Sequence, residues 1–115
     1  MKKVRFLMLA ALILSSVSFA LAQSTTGSIS VLAQDEKEAV IAGATVTVRN
    51  VDTGISRTAQ TNSEGRYRFV NLPVGAYQVT IEAANFAKFV QTGIVLVVNQ
   101  DAVIDATLKA GSVQE

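Results

Sequence analysis

Histidine, cysteine and tryptophan are all missing from the 115 residues, and proline occurs once. Without histidine or cysteine, no Ser-His or Cys-His pair and no metal site built on those ligands can be assembled from this chain. No disulfide can staple it, and lipid attachment through an N-terminal cysteine is closed as a route to the membrane. No serine stands in a G-x-S-x-G elbow, and neither a phosphate-binding loop nor a dinucleotide fingerprint occurs. The acidic residues fall at turns and polar strand positions, where a solvated face accounts for them. The reading is therefore of a protein that is not an enzyme and takes no cofactor. Its basic residues are not clustered, which argues against a nucleic-acid partner.

What is present starts with a leader. Lys2, Lys3 and Arg5 precede an apolar run from Phe6 to Leu14, and Ala20-Leu21-Ala22 offers a small-residue cleavage site before Gln23. This is the pattern of a secretory signal peptide over residues 1–22, with an apolar core too short to span a bilayer comfortably. Its removal leaves seven basic residues against nine acidic ones and turns the formal charge from +1 to −2. The expected organisation is a flexible lead over 23–26, one domain over 27–109 and a tail or linker over 110–115. Such a length suits one sandwich of about 100 residues. No other segment is apolar enough to span a membrane, and an outer-membrane barrel would need at least about eight strands of some ten residues each.

Apolar and polar residues alternate with a period of two through most of the mature chain, the signature of half-buried strands. Ile29, Val31 and Ala33 form one such set, Ala44, Val46 and Val48 a second, and Ala102, Ile104, Ala106 and Leu108 the last. Ile55 to Thr61 is more polar and predicts an edge strand on which Arg57 discourages stray pairing. Tyr67 and Phe69, on one strand, are expected to meet Tyr77, Val79, Ile81 and Ala83 across the core. Phe86 is expected to plug an end of the sandwich, and Phe89-Val90 with Ile94 to Val98 to form one or two further strands. Turn chemistry separates these runs. Asp52-Thr53-Gly54 stops the second strand, Asn62-Ser63-Glu64-Gly65 has the composition of a hairpin loop closed by a positive-φ glycine, and Leu72-Pro73-Val74-Gly75 ends one strand at Pro73 and reverses at Gly75. Gly54, Gly65, Pro73 and Gly75 are thus the structural turn residues. The fold class that follows is all-β: a single antiparallel β-sandwich of about seven strands.

The run T-[DN]-x-x-G-x-Y-x-F-x-x-L-P-x-G-x-Y-x-V, filled here by Thr61, Asn62, Gly65, Tyr67, Phe69, Leu72, Pro73, Gly75, Tyr77 and Val79, resembles the carboxypeptidase regulatory-like domains. Those domains occur beside metallocarboxypeptidases and at the exported N-terminus of many bacterial TonB-dependent outer-membrane receptors. Gly27 to Ser30 with Asp35, Gly43 to Val48 with Asn50, Thr53-Gly54, Gly93-Ile94, and Asp105 to Leu108 with Gly111 extend the likeness from about Gly27 to Gly111. The resemblance implies a transthyretin-like, carbohydrate-binding-like sandwich. It does not carry the peptidase over, because in that family a separate domain is catalytic. The chain departs from the family pattern at Val31 and at Glu36-Lys37-Glu38, where glycine or proline is usual. Ala42 and Ala84 replace prolines, and Asn85 replaces a glycine; asparagine tolerates left-handed backbone well, whereas Glu38 does not.

Three surface features bear on function. Asp35, Glu36 and Glu38 place three carboxylates in one loop, but without calcium-loop spacing or a carbonyl-rich glycine turn, so a solvated turn is the reading preferred over a metal site. Sugar sites favour exposed aromatic faces, yet Tyr67, Phe69 and Tyr77 fall on inward positions, and the facing of Phe89 is open. If Ile94, Leu96 and Val98 point inward, Val95 and Val97 point outward, and an outward β-branched pair suggests a surface covered by a strand, a neighbouring domain or a receptor partner. The expected function is that of a non-catalytic interaction module of the cell envelope, exported to the periplasm or outer membrane or secreted. It resembles the N-terminal extension of a TonB-dependent receptor, with a protein partner or adjacent receptor domain. The alternative is a free-standing periplasmic or secreted carbohydrate-binding domain.

Overall fold

The computed structural model describes residues 25–111; the leader expected over 1–22 and the end of the tail lie outside the described residues. Among the described residues there are seven strands, β1 (Thr26–Gln34), β2 (Thr45–Asn50), β3 (Ser56–Gln60), β4 (Arg66–Pro73), β5 (Gly75–Glu82), β6 (Phe89–Leu96) and β7 (Asp101–Thr107). They form a three-stranded sheet in the order β4-β1-β7 and a four-stranded sheet in the order β3-β2-β5-β6. No helix occurs among the described residues.

The alternating residues build the core between the sheets. Ile29, Val31 and Ala33 of β1 and Ala102, Ile104 and Ala106 of β7 are buried on one side, facing Val46, Val48, Tyr77, Val79 and Ile81 on the other. Phe86 and Phe89 pack against this core. All pairs are antiparallel except β1 with β7, which run parallel. That exception follows from parity. Each connection reverses the chain direction, so odd-numbered strands all run one way, and two odd strands laid side by side must be parallel.

The Asn62-Gly65 turn is not a hairpin loop as expected, because β3 and β4 belong to different sheets. It is a crossover. Asn62 Oδ1 accepts from the backbone N–H groups of Glu64 (2.9 Å) and Arg66 (3.0 Å), holding the turn tight. Thr61, buried just before it, accepts from Ala44 N–H (2.9 Å) and donates to the Ile41 carbonyl (2.7 Å). Gly65 has φ 75° and lies against β1, where its carbonyl accepts from Ala33 N–H at 2.8 Å. The corner after Pro73 is a second crossover, at Gly75 with φ 143°. The buried Tyr77 ring sends its hydroxyl to the Pro73 carbonyl at 2.6 Å and so pins that corner.

Gly54, at φ 75°, closes the β2–β3 hairpin together with Asn50, whose Oδ1 accepts from Asp52 (2.9 Å) and Thr53 (3.0 Å) N–H. Glu38 and Asn85 both adopt left-handed backbone, at φ 66° and 70°. The strained Glu38 turn is held by Asp35, whose Oδ1 accepts from Lys37 (2.8 Å) and Ala39 (2.9 Å) N–H.

Two side chains differ from expectation. Tyr67 lies on the same side of β4 as Phe69 but is 38% exposed, because β4 is an edge strand with no other strand beyond it among the described residues. Val98, expected in the core, is 47% exposed. Strand β6 ends at Leu96, and Val97 to Gln100 turn toward β7, with Gln100 N–H donating to the Val97 carbonyl and Asn99 at φ 62°.

Candidate functional site

The outer face of the three-stranded sheet carries a polar network that spans all three strands. Ser28 and Ser30 of β1 donate to Asp101 Oδ1 of β7 at 2.8 and 2.9 Å. Arg68 of β4 donates to Ser28 Oγ at 3.2 Å and lies 3.6 Å from Asp101 Oδ1. The two serine hydroxyls, opposed by partial burial and helped by Arg68, hold the Asp101 carboxyl below its ordinary value of 3.8. A depressed carboxyl stabilises the fold fully above its unfolded value and loses that contribution as pH falls through the folded one. Asp101→Asn is therefore expected to lower the urea midpoint at pH 6, with the gap to the unmodified protein closing as pH falls below about 3.8; a gap that persists unchanged at pH 2 would contradict this. The network ties β4, β1 and β7 together and sits on a solvated face, so its chemistry is structural.

The four sheet edges differ sharply in charge. Arg57 lies on β3, Arg66 and Arg68 with Pro73 on β4, and Asp101 and Asp105 on β7. Charges and proline are the usual devices that keep an open edge from pairing with other chains. Arg57 does more than repel. Its guanidinium reaches across the gap between the sheets to the Val70 carbonyl at 2.6 Å and stands 5.8 Å from the centre of the Phe69 ring. Strand β6 has neither charge nor proline, and the uncharged run continues from Phe89 to Gln100.

Side-chain placement along β6 is set by a bulge. Tyr77 pairs with Ile94 and Val79 with Gln91, so Thr92 and Gly93 together oppose Gln78, and Gly93 takes φ 73°. Ile94 and Leu96 are buried, whereas Val90 (48%) and Val95 (64%) are exposed. Val90 pairs with Thr80 and Val95 with Ala76, which places both valines on the outer face. Val97 is exposed in the following turn, where its N–H donates to Gln100 Oε1 at 3.0 Å. Gly27 brings β1 against this turn: a Cβ there would stand 2.9 Å from the Val97 carbonyl and from Leu96 Cγ.

Of the residues singled out from sequence, Gly54 and Gly65 hold turns in separate places and Pro73 and Gly75 share one corner, while Val95 lies near the end of β6 and Val97 in the turn after it. Phe89 pairs with Ile81 and packs on the core. Among the described residues no group of three acidic side chains is placed to hold a metal ion. Val90 and the Asp101 network were missed. The uncharged run was visible in the sequence, but its position at an edge was not.

The fold and this pattern of turns agree with one family model, the carboxypeptidase regulatory-like domain, which matches residues 28–109. The chain belongs to that family. Among curated relatives of this regulatory-like domain is serine-aspartate repeat-containing protein D of Staphylococcus aureus (strain Newman), 39% identical over 49 residues, or 43% of this chain and 4% of that protein. The domain thus spans a small fraction of the curated relatives it matches. Among solved structures, the Bacillus anthracis TIE protein aligns with a TM-score of 0.65 at 24% identity, covering 75% of this chain and 17% of that one. The streptococcal ancillary pilin gives 0.60 at 18%, covering 77% and 34%. Wild-type catechol 1,2-dioxygenase of Acinetobacter radioresistens gives 0.63 at 12%, covering 78% and 53%. At these identities the likeness is one of fold.

Proposed function

We propose that this regulatory-like domain is a non-catalytic, exported interaction module of the cell envelope, which docks another protein or an adjacent receptor domain through the β6 edge. The observation that carries the reading is the contrast among edges: three are guarded by charge, and β6 presents Val90 and Val95 with none. Export is supported by the leader pattern and by the occurrence of a pilin among proteins of this fold. The leader pattern placed directly before the domain favours a receptor extension. The dioxygenase likeness, at 12% identity, is one of fold and brings no activity with it. A glycan-binding role has less support. Phe69 and Tyr77 are buried, Phe86 and Phe89 pack on the core, and Tyr67 lies edge-on to Phe69 with ring centres 4.7 Å apart, so none of these rings is a stacking platform on an outer face.

Val95→Lys combined with Val97→Lys tests the docking surface. Both sites are exposed, so melting is expected to stay within about 0.5 kcal/mol of the unmodified protein. On native gels of gently extracted envelopes, the unmodified protein is expected to migrate in a larger assembly and the double variant as free protein. Unfolding of the variant, or an unchanged assembly, would contradict the reading.

A further inference from the structure

We propose that the β6 edge pairs antiparallel with the β6 edge of a second copy, merging two four-stranded sheets into one of eight strands. This rests on the docking reading above and names its occupant. Strand β6 runs from Phe89 to Leu96, so its midpoint lies between Thr92 and Gly93. A two-fold axis through that point sets Val90 opposite Val95 of the second copy, and Val95 opposite its Val90. In a regular strand, residues five apart would face opposite sides of the sheet. The bulge at Thr92-Gly93 removes that mismatch and puts both exposed valines on the same outer face. The two cross-strand valine pairs then form on one surface, the arrangement by which side chains stabilise a sheet.

Charge agrees with this occupant. A strand carrying charges would need a partner of opposite sign in register, whereas an uncharged strand meets its own copy without repulsion. The nearest charge on the N-terminal side, Lys88, falls opposite Val97 of the second copy under the same symmetry, and it is already paired with Glu82 at 3.3 Å. The bulge leaves its extra residue unpaired, so the ladder consists of two short segments, Phe89 to Gln91 of each copy against Ile94 to Leu96 of the other, and two-fold pairing uses up both β6 edges, which closes the pair rather than extending a fibre. A single strand pair is a small interface, so the association is concentration-dependent.

The absence of cysteine gives a clean test of both association and register. Cα atoms directly opposite in an antiparallel pair stand about 4.5–5.5 Å apart, within the range a disulfide bridges. Val90→Cys and Val95→Cys proteins, each first shown to melt like the unmodified protein, are oxidised separately and as an equimolar mixture. The mixture is expected to give a disulfide-linked pair at least about tenfold faster than either protein alone, because only unlike positions face each other. The unmodified protein is expected to rise in molar mass from one chain toward two with concentration in sedimentation equilibrium. Equal linkage of V95C with itself, or a protein that stays one chain at every concentration, overturns self-pairing. If V95K/V97K still abolishes the envelope assembly of such a monomer, the docking reading stands and only the identity of its occupant falls.

Discussion

Replacing Gly65 with valine is expected to cost about 3–5 kcal/mol of folding stability, from backbone strain and from a clash that add at one position. At φ 75° a β-branched residue is strained wherever it sits. Here a Cβ would also stand 2.7 Å from the Ala33 carbonyl and 3.0 Å from Val40 Cβ, and the first of these is backbone that cannot rotate away. Relief would require parting β1 from the crossover that links the two sheets. Gly43 separates the two causes. It has nearly the same φ, 74°, but nothing lies within 4 Å of its Cβ position, so Gly43→Val is expected to pay the strain alone, about 1–3 kcal/mol. Urea denaturation of the pair measures the difference, and equal losses would show that the close approach of Gly65 to β1 is wrong.

Phe69→Ala is expected to cost a similar amount, about 3–5 kcal/mol, also by urea denaturation. The ring is 1% exposed and its residue pairs with Ile29 at the centre of the three-stranded sheet. It also supports two neighbours at the open side of the sandwich, Tyr67 packed edge-on and Arg57 bridging to the Val70 carbonyl. Truncation leaves a cavity and frees both. Tyr67→Ala, at a half-exposed edge position, is expected to cost less than about 2 kcal/mol. If the two variants were equally destabilised, Tyr67 would have to be a core residue after all.

Strands with strict alternation were legible from the chain alone: Ile29-Val31-Ala33, Val46-Val48 and Ala102-Ile104-Ala106 are buried as their period requires. The composition of the Asn62-Gly65 turn also called for a positive-φ glycine, and Gly65 has φ 75°, because turn chemistry is local. What stayed hidden depends on partners distant in sequence. The Asn62-Gly65 turn has the composition of a hairpin loop, and only the sheet order makes it a crossover. Tyr67 alternates correctly with Phe69 but lies on an edge, and an edge is a property of neighbours rather than of pattern. Asp101 reads as a solvated turn residue until Ser28 and Ser30, more than seventy positions earlier, are brought beside it by the parallel β1–β7 pair. Val90 was overlooked for the same reason that Val98 was misplaced. A period-two count fails across the bulge at Thr92-Gly93 and again where β6 stops at Leu96.

The account turns on β6 being the edge through which the domain makes contact. Site-specific photocrosslinking in intact cells tests this most directly, with a photoreactive residue placed in turn at Ser56, Arg66, Val95 and Val103, one exposed position on each of the four edge strands. The account predicts strong adducts from position 95 and weak or no adducts from the other three. Adducts from position 56, 66 or 103 with none from 95 would contradict it.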